Sequence, residues 1–379
     1  MKYDFTSIID RRGMDSLAVD LKPGFGPQPP KEGFDIIPMW VADMSFPTLP
    51  TIQEAIIERA NHPMFGYFTP KKEYYDSIIK WHEDRNGVTG MTPDHIGYEN
   101  GVLGCLMSVV DAFSAPGDYI LVHSPTYIGF TSSLTNNGRR IILSSLVKDD
   151  EGVWRMDYDD MDAKLKKYNI HLAIFCSKNN DCLVISDEIW SDIILYGNKH
   201  IPTQSVSEDA KNRTVAIYAP SKTFNLAGLV GAYHIIYNKY LRDRVRAQSS
   251  KSHYNQMNVL SMHALIGAYK EEGREWVDEL CMVLGENIDY ACDHIANNYK
   301  GIKFFKPEGT YMLYIDCVEW LKEHGMTLDE LYKAGTDAGV MWQDGRPFNH
   351  PHAIRINLAL PKSRVIEAFD RLDKYVFLR

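Results

Sequence analysis

Hydrophobic positions along this chain follow two rhythms. From Thr51 to Asn61 the apolar residues Ile52, Ala55, Ile56 and Ala60 recur at helical spacing. Lys71–Asn86 reads as a second helix, and "ENGVLGCLMSVVDAFSAPGD" as a Gly-led turn into an apolar helix that stops at Pro116-Gly117. Short apolar runs follow: "YILVHSP", "RRIILSSL", Leu172–Phe175, Leu183–Ile185, "TVAIYAPSK" and "GAYHIIYN", with a helical pattern over Asp157–Tyr168. Strand-length apolar runs alternating with helices predict an α/β domain around a mainly parallel sheet. A helical stretch from Tyr240 to Asn298 comes next, broken near Gly273. Beyond it "GTYMLYIDC" and "AIRINLAL" read as strands among helices Leu328–Ala338 and Lys362–Tyr375, the pattern of a smaller α+β domain. The first 47 residues, rich in Pro and Gly, read as an extended arm that joins it. The expected division is 48–280 for the large domain, with 1–47 and 281–379 forming the small one.

One place breaks the pattern. The strands at Leu172–Phe175 and Leu183–Ile185 are separated by little more than the polar piece Ser177–Asp181. Parallel neighbours need a crossover of about a dozen residues or more. Either the pair forms a tight hairpin, or a crossover of roughly twenty residues is missing between Cys176 and Asp181.

Length and charge narrow the function classes. A chain of 379 residues exceeds one ordinary core, so two domains are expected. The net charge of −9, without long like-charge blocks, argues against a nucleic-acid or anionic-membrane surface. No apolar stretch reaches membrane-spanning length, and "MKYDFTSIID" has no hydrophobic signal region. The six cysteines show no paired metal spacing, which fits a cytoplasmic chain with free thiols. His350 and His352 in "NHPHAIR" read as loop residues, and no metal is expected.

The candidate chemistry lies at strand ends. "APSKTFNLAG" puts Lys222 just after a buried strand, and "VISDEIW" ends another with Asp187 and Glu188. Ligands of open α/β sheets sit outside the carboxyl ends of strands, so Lys222 and Asp187 can face one crevice. Taken singly, Lys222 could be a surface lysine and Asp187 a helix cap. Taken together they suit pyridoxal 5'-phosphate. The lysine holds the aldehyde as a Schiff base, and the carboxylate keeps the ring nitrogen protonated. The phosphate needs backbone N–H groups at a helix start, which Gly101 in "ENGVLG" opens.

With those residues in hand, the chain resembles a fold-type I pyridoxal-phosphate enzyme of the class I/II aminotransferase superfamily. It is most similar to the cystathionine β-lyase (carbon–sulfur lyase, MalY/PatB-like) branch. The matching pieces are "IPMWVADMSFP", "FGYFTP", "HSPTYIGF", "CLVISDEIWSDI", "YAPSKTFNLAGL", "PEGTYMLYIDC" and "IRINLALP", in family order across most of the chain. The resemblance implies a homodimer with shared active sites and an amino-acid substrate. It implies that Lys222 binds the cofactor covalently and shuttles protons, Asp187 pairs with the pyridine nitrogen, and Tyr127 stacks on the ring. Gly101, Val102 and Ser221 would hold the phosphate, and Tyr67 would reach the phosphate of the neighbouring subunit. Arg355 would grip the substrate α-carboxylate, with Ala42 beside it. Core packing for Tyr127, a loop position for Tyr67 and a structural ion pair for Arg355 remain open.

Two departures stand out. "NLAGLVG" lacks the phosphate-binding arginine of many aminotransferases, and Ser45 replaces an acid after Met44. The resemblance also interprets the short joint. The family places a turn with a cofactor-binding Asn and a helix between these two strands. "KNND" resembles the end of that helix, so Asn179 and Asn180 are not given the Asn role, and Ser177 and Lys178 are expected not to be bonded neighbours. The implied reaction is α,β-elimination from a sulfur-bearing amino acid. An aminotransferase, or a cofactor-binding regulatory protein of low activity, are the alternatives.

Overall fold

The structure, a computed structural model, describes residues 1–150, 154–174, 182–251 and 255–378. The chain divides into two compact units, one of residues 1–47, 193–198 and 276–379, the other of residues 48–192 and 199–275. The first opens with a short strand, β1 (Ile37–Pro38).

The larger unit is built on an eight-stranded sheet. Its strands are β2 (Ile96–Asn100), β3 (Tyr119–Ser124), β4 (Arg140–Lys148), β5 (Trp154–Met156), β6 (Leu172–Ile174), β7 (Leu183–Asp187), β8 (Thr214–Tyr218) and β9 (Gly231–Ile235). They lie in the order β2-β9-β8-β7-β6-β3-β4-β5. The adjacent strands β8, β7, β6, β3 and β4 run parallel, and β2, β9 and β5 add antiparallel pairings at the margins. Its helices are α1 (Pro50–Ala60), α2 (Lys72–Asn86), α3 (Val102–Phe113), α4 (Ile128–Asn136), α5 (Tyr158–Lys167), α6 (Glu208–Arg213), α7 (Pro220–Thr223), α8 (Lys239–Ser250) and α9 (Val259–Ala268).

Alternation along the strands sends residues to two apolar layers. Leu172, Ile174 and Ile185 pack with Leu106 and Val109 of α3, Phe130 of α4 and Val245 of α8. Leu121 and Ala173 face the other way, against Met161 and Leu165 of α5. Each fully buried Leu, Ile or Val contributes about 1.5–3 kcal/mol, so both helix layers are held by the sheet.

The strands on either side of the short joint are parallel and in register, Leu172 opposite Leu183 and Ile174 opposite Ile185. The hairpin alternative is thereby excluded. The expectations for the Ser177–Lys178 bond and for Asn179 and Asn180 fall on 175–181, outside the described residues.

In the smaller unit α10 (Glu271–Asn298) leads into β10 (Lys303–Phe304), β11 (Met312–Asp316), α11 (Val318–His324), α12 (Leu328–Asp337), β12 (Val340–Met341), β13 (Gln343–Asp344), β14 (Ala353–Asn357) and α13 (Lys362–Leu372). An antiparallel sheet runs β10-β11-β14-β13, and β1 pairs with β12. The helical stretch breaks at 269–270, between α9 and α10, and Gly273 lies within the first turn of α10. A Cβ there would sit 1.8 Å from the Ala268 carbonyl oxygen, so only glycine lets α10 start so close to the end of α9. No described helix is long and apolar enough to cross a membrane.

Candidate active site

Strand register brings the singled-out residues of the larger unit to one edge. Val122 is level with Ile174, and Ile174 with Ile185, so Ser124 at the end of β3 is level with Asp187 at the end of β7. Asp187 is in turn level with Ile217 of β8, five residues before Lys222. Tyr218 lies opposite Tyr233, and two residues further out Gly231 lies opposite Asn100. The carboxyl ends of β2, β3, β7 and β8 therefore share an edge. Gly101, Tyr127, Asp187, Ser221 and Lys222 all follow from it.

Asp187 accepts the Ile189 amide N–H at 3.1 Å and keeps part of its surface open. Protein closes around it enough that desolvation dominates, and its pKa is pushed up to about 7 despite the Ile189 N–H and the field of Lys222. A carboxylate so placed is stabilised by a cation brought beside it.

Glu188, the next residue, is enclosed. It accepts Ser186 Oγ at 2.9 Å, the Thr203 amide at 3.0 Å, His200 Nε2 at 2.7 Å and Tyr218 OH at 2.6 Å. Burial pushes its pKa up, but these partners outweigh it and hold Glu188 below the usual range.

Lys222 sits on α7, a single turn entered through Pro220. Its Nζ lies 5.7 Å from the centre of the Trp190 ring, within range of a cation–π contact. Thr223, next in sequence, is fully buried and donates its hydroxyl to Asp192 Oδ2 at 2.9 Å.

At the start of α3, Gly101 has φ +76°, a conformation that favours glycine. Among the described residues no side chain caps the helix, which leaves its first amides available to a bound anion. Tyr127 stands at the N-terminus of α4 with its ring against Phe130, centroids 5.4 Å apart and nearly perpendicular. A Cβ on Gly129 would collide with that ring at 2.2 Å, so the glycine makes room for it. Tyr67 is fully exposed on an irregular segment together with Met64 and Phe65.

Arg355 and Ala42 belong to the smaller unit. Arg355, on β14, donates to the Trp40 carbonyl at 3.3 Å and to the Gln343 side chain, and its guanidinium lies 4.7 Å from the Phe348 ring centre. The Ala42 carbonyl accepts Tyr311 OH at 3.1 Å. Asn357 Nδ2 donates to the Val41 and Asp43 carbonyls at 2.6 Å each, which binds this part of the arm to β14.

Sequence reading passed over Trp190, Asp192 and Thr223. The signal available was proximity: all three lie within five residues of Asp187 or Lys222. It also passed over a buried trio, Glu99, Cys105 and His234, whose ligand atoms lie within 4.8 Å of one another. Glu99 already accepts from His234 Nδ1 at 3.0 Å and from Ser108 and Ser249 at 3.3 Å each. Burial raises the Cys105 thiol pKa well above its usual value. Within the trio a hydrogen bond joins Glu99 and His234, and Cys105 packs beside them in the core.

Comparison with known proteins gives the same family by independent routes. The sequence profile "Aminotransferase class I and II" matches residues 35–180 and 171–372. Cystathionine β-lyase PatB of Bacillus subtilis (strain 168) is 34% identical over 303 residues, covering 74% of this chain and 78% of PatB. Protein MalY of Escherichia coli (strain K12) is 27% identical over 391 aligned residues, covering 96% of each. The crystal structure of cystalysin from Treponema denticola, which contains a pyridoxal 5'-phosphate cofactor, superposes with a TM-score of 0.88 at 29% identity, covering 99% of this chain and 98% of that one. With its profile match spanning most of its length and its strand-end lysine and aspartate on one sheet edge, this chain belongs to the aminotransferase class I and II family.

Proposed function

We propose that this protein is a pyridoxal-phosphate-dependent carbon–sulfur β-lyase. It acts by α,β-elimination on a sulfur-bearing amino acid such as cystathionine, giving a thiol, pyruvate and ammonia. The observation that carries the reading is the shared carboxyl edge of the sheet, where Asp187 ends β7 opposite Ile217 of β8 and Lys222 follows β8 on a single helical turn. That donor set fits the cofactor: a lysine for its aldehyde, an acid that gains from a cationic ring nitrogen, and an uncapped, Gly-led helix start for its phosphate. The names of PatB and cystalysin's bound cofactor support the same reading.

When bound, pyridoxal phosphate supplies a covalent hold on the substrate amino group and a sink for negative charge at Cα. The chain does the rest. Asp187 would pair with the ring nitrogen. Gly101 and Val102 would offer amides, and Ser221 a hydroxyl, to the phosphate. Tyr127 would serve the ring, and Arg355, with Ala42, would serve the substrate α-carboxylate. Lys222 would hold the cofactor's aldehyde and, when its amine is free, would take the proton from Cα and return it to the departing sulfur. The 2-aminoacrylate released then takes up water to give pyruvate and ammonia.

Cystathionine alone should yield thiol and pyruvate in equal amounts. An aminotransferase would need a 2-oxo acid. Lys222→Ala should abolish turnover, and borohydride should fix the cofactor on Lys222. Label on another lysine would overturn the assignment.

The reading includes a cytoplasmic homodimer in which Tyr67 serves the neighbouring subunit's site. The exposed Met64, Phe65 and Tyr67 support it as a surface for a second copy. Hybrids pairing a Tyr67→Phe subunit with a Lys222→Ala subunit should then hold one doubly defective site and one intact site, and regain about half the activity. Hybrids with a defect in each site would assign Tyr67 to its own subunit.

A further inference from the structure

We propose that Asp192 is a positioning residue for Lys222, acting through the hydroxyl of Thr223. The inference rests on Lys222 as the covalent lysine. α7 has four residues and no side-chain cap, too few to hold its own geometry. The direction in which Lys222 leaves the backbone therefore depends on what grips its neighbours. Two grips are visible. Thr48 Oγ1 donates to the Phe224 carbonyl at 2.7 Å, and Thr223 Oγ1 donates to Asp192 Oδ2 at 2.9 Å.

The second grip is a built one. Asp192 is 6% exposed. Its Oδ1 accepts the Trp81 indole N–H at 3.0 Å, and Arg85 Nε lies 3.5 Å away. Trp81 is itself fixed, stacked on Tyr269 with centroids 4.4 Å apart and planes 8° from parallel. Burying a carboxylate is costly, and an apolar residue would pack here at no such cost. A buried acid supplied with a hydroxyl, an indole and a guanidinium, and joined to the residue after Lys222, makes sense as a means of orientation. The same turn carries Trp190, whose ring flanks Lys222 Nζ. One loop thus holds the backbone next to the lysine and borders its amine. The mechanism described above uses neither residue.

The test is the condensation of cofactor-free protein with pyridoxal 5'-phosphate. Its rate is followed by absorbance, its site is fixed by borohydride and peptide mass, and folding is checked by melting curves. Asp192→Asn and Thr223→Val should each slow condensation at Lys222 by about tenfold, the scale of one hydrogen bond to a charged group. Thr223→Ser, which keeps the hydroxyl, should stay within about twofold of the parent. The double variant should be about as slow as the worse single one, because both changes break one contact. A Thr223→Val protein that condenses at the parent rate, or singles whose effects multiply, would overturn the proposal. If Asp192→Asn does not fold, the Thr223→Val and Thr223→Ser pair decides alone. Parent protein labelled on a lysine other than Lys222 would instead overturn the reading of Lys222 itself, before any variant is compared.

Discussion

Asp187 and Glu188 are consecutive acids at the end of one strand, and their surroundings differ completely. Glu188 is walled in by a histidine, a tyrosine, a serine and a backbone amide, which together hold its pKa down. Asp187 accepts the Ile189 amide, and its pKa rises to about 7. Asp187 ends β7 at the edge where Lys222 follows β8, and Glu188, just past the strand, enters a finished network. Glu188 is satisfied by the fold; Asp187, on the function proposed above, would pair with the cofactor's ring nitrogen.

The largest expected effect tests that division directly. Asp187→Asn should lower turnover by about 10²–10³-fold, the scale of a broken buried ion pair. Glu188→Gln should leave turnover per folded molecule within about threefold. Near-normal turnover of the Asp187 variant would reduce that residue to a cap.

Stability should respond in the opposite sense. Glu188→Gln should cost about 2–4 kcal/mol in urea unfolding, since it leaves His200 and Tyr218 with a neutral partner in a buried site. An unchanged urea midpoint would show that the network adds no stability.

A smaller effect concerns pH. In cofactor-free protein the folded pKa of Asp187 exceeds the unfolded value of 3.8. Between those values the native state holds a proton that the unfolded chain has released. The stability contribution of Asp187 is therefore fully present below about pH 4 and lost as pH rises through about 7. Asp187→Asn should remove that dependence and gain stability relative to the parent at pH 8 but not at pH 4. A parallel shift of both proteins with pH would refute it.

The smallest effect belongs to His200, which lies at the outer side of the Glu188 network. His200→Asn should cost about 1 kcal/mol, one net hydrogen bond, and should not alter cofactor binding measured by absorbance titration.

The joint between β6 and β7 sets a limit on what the sequence announces. Their parallel pairing is observed, yet only Phe175 to Cys182 connect them, eight residues. That is below the usual crossover length. The profile match also breaks into two stretches that meet at residues 171–180. The Asn that the resemblance implies in this joint falls on residues outside the described ones.

Much of the larger unit was legible beforehand, because strand-length apolar runs and helical spacing report burial directly. The end of α5 near Tyr168, the α2 helix and the mainly parallel sheet all follow from local pattern. Lys222 and Asp187 were legible too, since a charged residue at the end of a buried strand has no packing reason to be there. Whether neighbouring acids are equivalent was not legible: "DE" is one dipeptide, and only the folded chain brings His200 and Tyr218 to Glu188 while leaving Asp187 to the edge. The grip of Asp192 on Thr223 spans thirty-one positions along the chain. Sequence by itself determined the elements, the fold class and the residue types at the sheet edge, because periodicity and strand-end chemistry are local properties. Tertiary structure alone decided which acid is satisfied, which pKa moves and what holds the lysine, because desolvation and hydrogen bonding depend on atoms brought together from distant parts of the chain.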